Sequence, residues 1–159
     1  MAQRKTHEGN LNAAGKRFAL IVSRYNEFFA SRLLSGAEDC LIRHGALPED
    51  VEVFRVPGCF ELPLVAKKVA QTGKFDAVVC LGAILRGQTP HFDLVASEAA
   101  RGVGRVGLET EVPVVFGVIT TETVEQAVDR SGARAGNRGA EAAMAAIEMA
   151  NLLGGLSAP

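Results

Sequence analysis

The feature that most constrains the fold is an uninterrupted apolar run, AVVCLGAIL, at residues 77–85. The run contains no charged residue and is rich in β-branched side chains, which favour strands. A stretch of this length is typical of a strand that is buried on both faces, as in a parallel sheet. Neither this run nor any other segment has the apolar length of a membrane-spanning helix. The chain is therefore predicted to fold around at least one buried strand.

The turn after this run, RGQTPHFD at residues 86–93, carries a cluster of polar groups. It offers backbone N–H groups, the Thr89 hydroxyl, the Arg86 guanidinium and the His91 imidazole within a few residues. Such N–H groups and hydroxyls bind anions, and an imidazole moves protons near neutral pH. A lone histidine in a loop is commonly incidental, but this cluster favours a site for a small anionic substrate.

Composition narrows the class of protein. The 159 residues are 48% hydrophobic and 22% charged, which predicts one globular domain rather than a disordered chain. The net charge is −1 without a long basic run, so we expect no nucleic-acid partner. Residues 1–16 are polar and lack the apolar core of a signal peptide. Three scattered cysteines predict reduced thiols in a cytoplasmic protein, with Cys40 and Cys80 in the core and Cys59 in a loop.

Strand and helix patterns alternate along the chain. We predict strands at residues 18–22, 51–56, 77–85 and 112–119. We predict helices from Asn26, as the capping residue, to about residue 44, and at residues 62–71, 93–109, 123–130 and 139–153. This alternation predicts right-handed crossovers and a parallel sheet with helices on both faces.

Local signals refine these elements. Glu52 and Arg55 make the second strand an expected edge strand. Thr123 and Gln126 fit a capping box that opens the short fourth helix. The last helix is expected to stop at residues 154–155, which are both glycine, and its alanines permit close packing against a neighbour.

Polar and aromatic residues follow the predicted strands. In parallel sheets of this kind, ligands bind beyond the carboxyl ends of the strands. Tyr25 and Asn26 follow the first strand, residues 58–61 follow the second, residues 86–91 follow the third, and Phe116 is expected near the end of the fourth. Four strand ends that supply such residues are a stronger indication of a site than any one of them.

Five motifs resemble those of the lumazine synthase family in order and spacing. The motifs are RYN at 24–26, PGCFELP at 57–63, RGQTPHFD at 86–93, FGVITT at 116–121 and GNRG at 136–139. The resemblance covers nearly the whole chain, from about residue 8 to residue 153. It implies a flavodoxin-like three-layer αβα sandwich with a four-stranded parallel sheet, a single domain at 18–155, an N-terminal arm at 1–17 and a tail at 156–159.

The resemblance also implies an activity that needs neither a cofactor nor a metal. The enzyme would condense 5-amino-6-(D-ribitylamino)uracil with 3,4-dihydroxy-2-butanone 4-phosphate, releasing phosphate and water, in riboflavin biosynthesis. By resemblance, residues of the first three strand ends and of the fourth strand form the uracil site. These residues are Tyr25, Asn26, Cys59, Phe60, Glu61, Ala83, Ile84, Leu85 and Phe116.

Individual roles follow from the same resemblance. Tyr25 stacks on the pyrimidine, a position where the family usually has Phe or Trp, while Glu61 accepts hydrogen bonds from the ribityl chain and Cys59 is a small wall residue. Ala83, Ile84 and Leu85 offer backbone groups to the uracil. A glutamate at a helix N-terminus is also favoured by the helix dipole, so both interpretations of Glu61 can hold.

The phosphate site is implied to consist of Gln88, Thr89 and Arg130, and His91 to be the group that transfers protons. Arginine suits phosphate because its guanidinium is permanently charged and bonds in a bidentate manner. Arg138 stands where the family usually has Lys, which leaves its role open. Arg134 is interpreted as a solvated surface residue.

Two alternatives compete with this function. The GVGRVG sequence at residues 102–107 satisfies the dinucleotide-binding pattern, which would indicate an oxidoreductase. That pattern needs its glycines immediately after a strand, whereas here they fall inside a predicted helix, where close packing is the preferred explanation. The second alternative is a shell protein that binds a flavin or lumazine with little turnover.

The resemblance implies a homo-oligomer. In the family the active site lies between neighbouring subunits of a pentamer, with Phe116 and, in part, His91 expected from a different chain than Tyr25. Residues 8–11 resemble the N-terminal strand that pairs with a neighbour's sheet edge in icosahedral members. Residues 131–137 lack the insertion of pentamer-only members, so we expect twelve pentamers to form a 60-subunit shell.

Overall fold

Four parallel strands form one sheet in the computed structural model, which is described here for residues 1–132 and 136–157. The strands are β1 (Phe18–Ser23), β2 (Val51–Val56), β3 (Ala77–Leu85) and β4 (Val114–Thr121). Their order across the sheet is β2-β1-β3-β4, so β3 lies between two neighbours and is buried except at Leu85. The predicted buried strand is confirmed, and β2 is an edge strand as Glu52 and Arg55 indicated.

Helices cover both faces of the sheet, as the alternation predicted. They are α1 (Glu27–Arg43), α2 (Leu62–Gln71), α3 (His91–Thr110), α4 (Val124–Arg130) and α5 (Arg138–Ser157). Short 3₁₀ turns occupy Pro48–Asp50 and Cys59–Glu61. One core cluster joins the sheet to α1 and α5, and a second joins it to α2 and α3. The three-layer α/β architecture is therefore confirmed.

Two predicted boundaries are wrong for identifiable reasons. The fourth strand begins at Val114 and continues to Thr121, because β4 stays in register with β3 as far as the Leu85–Thr121 pair. Helix α5 continues through Gly154 to Ser157. A glycine ends a helix when it adopts a left-handed conformation, and Gly154 does not have a positive φ.

The two predicted caps have different outcomes. Thr123 Oγ1 accepts a 3.1 Å hydrogen bond from the Gln126 N–H, which confirms the cap of α4. Gln126 Oε1 accepts from the N–H of Glu122, one residue earlier than a capping box requires. Asn26 precedes α1 but its side chain does not cap it, since the amide is bonded to Ala83 on β3 instead. Asn26 is therefore at the N-cap position as predicted, but its side chain does not make the capping hydrogen bond.

The glycines of the GVGRVG sequence lie inside α3 and not after a strand. A Cβ at Gly102 would stand 2.5 Å from Cγ of Pro63 on α2, so this glycine permits close helix packing. A Cβ at Gly104 would meet nothing within 4 Å. The packing explanation is confirmed at Gly102, and the geometry of the dinucleotide fingerprint is absent from this segment.

The N-terminal arm lies against α5 of its own chain. Asn151 Nδ2 donates to the carbonyl oxygens of Asn10 and Asn12, each at 2.9 Å, and Ala13 is fully buried. Residues 8–11 form no strand within this chain, so the strand expected there requires a partner that a single chain does not supply. Each helix of the described residues is too short or too polar to span a lipid bilayer.

Candidate functional site

A cavity of about 550 Å³ opens at the carboxyl ends of β1 and β2 and at the start of α3. It is lined by Tyr25, Gly58, Cys59, Phe60, Glu61, His91, Leu94, Val95 and Glu98. We call it the ring cavity because aromatic and aliphatic side chains dominate its wall. Five residues of the predicted site meet in it, drawn from three different strand ends.

Tyr25 and Gly58 are fitted to each other in the wall of the ring cavity. The N–H of Tyr25 donates to the carbonyl oxygen of Pro57 at 3.0 Å, which fixes the end of β1 beside the end of β2. A Cβ at Gly58 would stand 2.7 Å from Cδ2 of the Tyr25 ring. Any residue other than glycine at this position would therefore clash with the ring. Tyr25 is 66% exposed, and its face is therefore open to a planar ligand.

Cys59 is a buried wall residue of the ring cavity, the place that the resemblance implied for it. It lies in the short 3₁₀ turn before α2, and its Sγ is 3.7 Å from Oγ of Ser23. Burial raises the pKa of the Cys59 thiol from 9.0 to about 11. The thiol is therefore protonated at neutral pH, which is unsuitable for a nucleophile.

Glu61 presents a carboxylate at the edge of the ring cavity. Its Oε2 accepts a 3.2 Å hydrogen bond from the N–H of Gly58. Among the described residues, Oε1 has no hydrogen-bond partner and is available to a donor from a ligand. The carboxylate thus stabilises the turn and retains acceptor capacity, so both expected roles of Glu61 are compatible.

His91 is the first residue of α3, where the polar turn ends. Leu94, Val95 and Glu98 follow it at i+3, i+4 and i+7 and line the same cavity. The sequence analysis missed these three residues, although their helical spacing from His91 was the signal that could have found them. His91 and Tyr25 line one cavity of the same chain, so the expectation that they come from different chains is wrong.

The last residues of β3 present backbone groups on the side of the strand that faces β1. Asn26 Nδ2 donates to the carbonyl oxygen of Ala83 at 2.8 Å, so this carbonyl is already occupied. Register between β1 and β3 ends at the Val22–Leu81 pair, and Ile84 and Leu85 are paired with β4 alone. The edge of β3 that faces β1 is therefore free of strand pairing beyond Leu81.

A second cavity, of about 380 Å³, lies at the other side of the sheet, along β4. It is lined by Phe116, Gly117, Val118, Ile119, Thr120, Arg130, Arg138, Glu141 and Ala142. We call it the arginine cavity because two guanidinium groups face it. Phe116 is the third residue of β4 and not near its end, so its predicted position beside the other strand ends is wrong.

The two arginines of this cavity are held by short-range contacts. Arg130 Nη1 donates to the carbonyl oxygen of Gln126 at 3.3 Å. Arg138 Nη1 lies 2.8 Å from Oε2 of Glu141, three residues further along α5. Arg138 therefore lines the same cavity as Arg130, although the sequence left its role open. Glu141 was missed because a lone glutamate on a helix gives no signal.

Arg86 does not offer a free guanidinium to an anion. Its Nη2 forms a salt bridge with Oδ1 of Asp93 at 2.9 Å, and its Nε forms another with Oε2 of Glu122. Its Cζ lies over the Phe92 ring, 4.4 Å from the ring centroid. The hydrogen bonds to Asp93 and Glu122 raise the pKa of Arg86. Arg86 thereby ties the turn before α3 to the turn before α4, and its interpretation as part of an anion site is wrong.

Gln88 and Thr89 lie exposed in the turn before α3. Neither lines the ring cavity or the arginine cavity. Within one chain, the three residues of the predicted phosphate site are therefore not brought together, because Arg130 faces the arginine cavity. The predicted surface residue Arg134 lies outside the described residues.

Comparison with known proteins decides the family. The family model for 6,7-dimethyl-8-ribityllumazine synthase matches residues 15–154. A curated protein from Desulfotalea psychrophila (strain LSv54 / DSM 12343), named 6,7-dimethyl-8-ribityllumazine synthase, is 59% identical over 149 residues, which cover 94% of this chain and 96% of that protein.

The chain belongs to the 6,7-dimethyl-8-ribityllumazine synthase family. The resemblance inferred from the five motifs is thereby confirmed, and the lumazine synthase match spans both cavities. In this lumazine synthase, the predicted site residues are divided between two cavities of one chain. Tyr25, Cys59, Phe60, Glu61 and His91 lie in one cavity, and Phe116 and Arg130 lie in the other.

Proposed function

We propose that this protein catalyses the condensation of 5-amino-6-(D-ribitylamino)uracil with 3,4-dihydroxy-2-butanone 4-phosphate to form 6,7-dimethyl-8-ribityllumazine. The observation that carries the proposal is the meeting of an exposed aromatic ring, a free carboxylate oxygen and an imidazole in the ring cavity of a lumazine synthase family member. The reaction joins an amine to a ketone, eliminates phosphate and closes a ring with loss of water. It requires two substrates to be held together, and such positioning contributes up to ~7–11 kcal/mol.

The ring cavity suits the uracil substrate. The open face of Tyr25 stacks on the pyrimidine, and Phe60 and Leu94 provide apolar contacts beside it. The free Oε1 of Glu61 accepts a hydroxyl hydrogen of the ribityl chain. Asn26 contributes its second amide hydrogen and its Oδ1, since one hydrogen is already used by Ala83.

Ile84 and Leu85 supply backbone groups to the uracil edge from the unpaired side of β3. His91, at the rim of the same cavity, moves the protons that imine formation and phosphate elimination require. Because an imidazole both donates and accepts near neutral pH, one residue serves both steps.

The phosphate of the second substrate is bound by Arg130, with Arg138 beside it in the arginine cavity. Gln88 and Thr89 contribute N–H groups at the start of the 20-residue helix α3, whose N-terminus favours an anion. Within one chain these two groups of residues face different cavities. A complete phosphate site therefore requires the arginine cavity of one chain to meet the start of α3 of another.

This division supports a homo-oligomer with active sites between chains. Phe116 is 37% exposed on the outer strand β4, where a neighbouring chain can bury it against the ring cavity. We propose a pentamer, and we further propose that twelve pentamers form an icosahedral shell in which residues 8–11 pair with a neighbour's sheet. The protein is proposed to act in the cytoplasm, without a cofactor.

The decisive experiment is to incubate the purified protein with both substrates and to follow lumazine absorbance. Product formation above the spontaneous rate supports the proposal, and its absence overturns it. Tight riboflavin binding with negligible turnover would instead favour a ligand-binding shell protein. Light scattering tests the assembly, since isolated pentamers at neutral pH and moderate salt would refute the shell, and a stable monomer would refute the shared site.

A further inference from the structure

The proposed function assigns a role to Arg138 of the GNRG sequence at residues 136–139, but none to Asn137. The side chain of Asn137 makes three hydrogen bonds to three separate elements. Its Nδ2 donates to the carbonyl oxygen of Arg32 on α1 at 2.9 Å and to that of Ser131 at 3.2 Å. Its Oδ1 accepts from the N–H of Ala140 at 3.1 Å, in the first turn of α5. One amide group therefore joins α1, the end of α4 and the start of α5.

Glycines enclose this amide on several sides. A Cβ at Gly36 on α1 would stand 2.4 Å from Cγ of Asn137, and a Cβ at Gly139 would stand 2.9 Å from its Oδ1. A Cβ at Gly139 would also meet the Leu33 carbonyl oxygen at 2.0 Å. Because Gly36 and Gly139 carry no side chain, there is room for the side chain of Asn137 between them. The amide is thus fitted into a slot between α1 and α5.

The position of Asn137 in the chain connects this slot to the arginine cavity. Ser131, which accepts one of the hydrogen bonds, directly follows Arg130, and Arg138 directly follows Asn137. Ser131 and Asn137 also form an isolated antiparallel bridge. The amide therefore holds the backbone next to both arginines, while touching neither guanidinium and lining neither cavity.

We propose that Asn137 is a positioning residue for the phosphate site. It sets the separation and direction of Arg130 and Arg138 by anchoring the adjacent backbone to α1. Two guanidinium groups bind one phosphate well only when they are held at a fixed separation, since the free energy of ordering them otherwise reduces the affinity. The inference rests on the proposed function, because it assumes that the arginine cavity receives the phosphate of the substrate.

The test compares Asn137→Ala with a matched control, Asn151→Ala. Asn151 also donates through its amide to backbone carbonyl oxygens, those of Asn10 and Asn12, but it holds the N-terminal arm and lines neither cavity. Asn137→Ala should raise KM for the butanone phosphate roughly tenfold, the change that one lost well-placed interaction produces. Its KM for the ribitylaminouracil should stay within about twofold, and Asn151→Ala should change neither constant.

A second variant separates positioning from folding. Asn137→Ser retains an acceptor for the Ala140 N–H, and serine is a favoured residue before a helix. It is too short to reach the Arg32 and Ser131 carbonyl oxygens together. We expect Asn137→Ser to recover part of the melting temperature that Asn137→Ala loses, but not the KM for the butanone phosphate.

A double-variant comparison completes the experiment. In an Arg130→Ala background, Asn137→Ala should add less than about twofold to KM for the butanone phosphate, because the pair of guanidinium groups whose separation it sets no longer exists. Titration calorimetry with inorganic phosphate needs no turnover, and the dissociation constants of the variants should change in the same way as these KM values. An unchanged KM for the butanone phosphate in Asn137→Ala, or a full additional loss in the Arg130→Ala background, would overturn the inference. An inactive wild-type protein would instead refute the proposed function itself.

Discussion

The Asn26 side chain donates a 2.8 Å hydrogen bond to the carbonyl oxygen of Ala83, and this bond ties the end of β1 to the end of β3. Asn26 adopts a left-handed backbone conformation with φ 57°, which asparagine tolerates better than most residues. The residue therefore fixes the relative position of Tyr25 and β3 through its side chain and its backbone together.

Two substitutions separate these contributions. Asn26→Gly removes the hydrogen bond but retains the freedom to adopt a positive φ, so we expect a loss of about 1 kcal/mol in the free energy of unfolding. Asn26→Ala removes the bond and adds left-handed strain, for a loss of about 2 kcal/mol. Urea unfolding at matched chain concentration measures both values. Equal losses in the two variants would show that the backbone conformation carries no strain.

Gly58→Ala should impair the ring cavity without straining the backbone. The φ of Gly58 is −138°, which alanine adopts freely, but the new Cβ would stand 2.7 Å from the Tyr25 ring. Displacement of the ring should raise KM for the ribitylaminouracil several-fold, while KM for the butanone phosphate stays nearly constant. In a Tyr25→Ala background, Gly58→Ala should have little further effect, and a full additional loss there would contradict a contact through the ring.

His91→Ala and Arg130→Ala should have different kinetic effects. His91→Ala should lower kcat modestly, by about 10-fold to 100-fold, because positioning of the substrates supplies much of the rate. Arg130→Ala should mainly raise KM for the butanone phosphate, and Arg130→Lys should recover part of it through the retained charge. Steady-state kinetics with each substrate varied in turn distinguishes the two patterns. A selective rise in KM for the uracil substrate in Arg130→Ala would contradict the phosphate assignment.

The glycines of the GVGRVG sequence should respond to substitution according to packing. Gly102→Ala places a Cβ 2.5 Å from Pro63 and should lower the free energy of unfolding by about 1–3 kcal/mol. Gly104→Ala meets no atom within 4 Å in a helix interior and should raise it by about 0.5–1 kcal/mol. Thermal unfolding at matched chain concentration should show a lower melting temperature for Gly102→Ala and a higher one for Gly104→Ala. Measurable NAD binding that both substitutions abolish would instead support the oxidoreductase alternative.

The buried thiols predict a dependence of stability on pH. Burial raises the pKa of Cys59 to about 11 and that of Cys80 to about 12 from 9.0. Between pH 9 and these values the folded chain retains protons that the unfolded chain loses, so the free energy of unfolding should fall as the pH rises above 9. Unfolding curves measured from pH 8 to pH 11 check this trend. Cys59→Ala should show a shallower fall, and an identical slope would contradict the contribution of Cys59.

The fold was predictable because its signals are local. The apolar run of β3 and the charged residues of β2 identify a buried strand and an edge strand without any tertiary information. The cap of α4 depends on residues only three positions apart. Asn26 was placed correctly before α1, but its side chain does not cap the helix because its amide bonds to Ala83, 57 residues away in the sequence.

The site was only partly predictable for the same reason. The 58–61 segment follows β2, and the turn that ends at His91 follows β3, so the carboxyl edge of the parallel sheet brings them together in the ring cavity. The sequence suggested that Arg86 binds an anion, but in the fold its guanidinium group forms salt bridges with Asp93 and Glu122. Phe116 and Arg130 were grouped with the other site residues through resemblance, whereas the topology of a single chain places them in a separate cavity.

The division between the ring cavity and the arginine cavity has a consequence for genetics. In the proposed assembly, each active site takes His91 from one chain and Arg130 from its neighbour. An allele that inactivates the first residue and an allele that inactivates the second therefore leave different halves of a site intact. When both alleles are expressed in one cell, mixed rings contain sites built from the two undamaged halves, and the alleles complement each other.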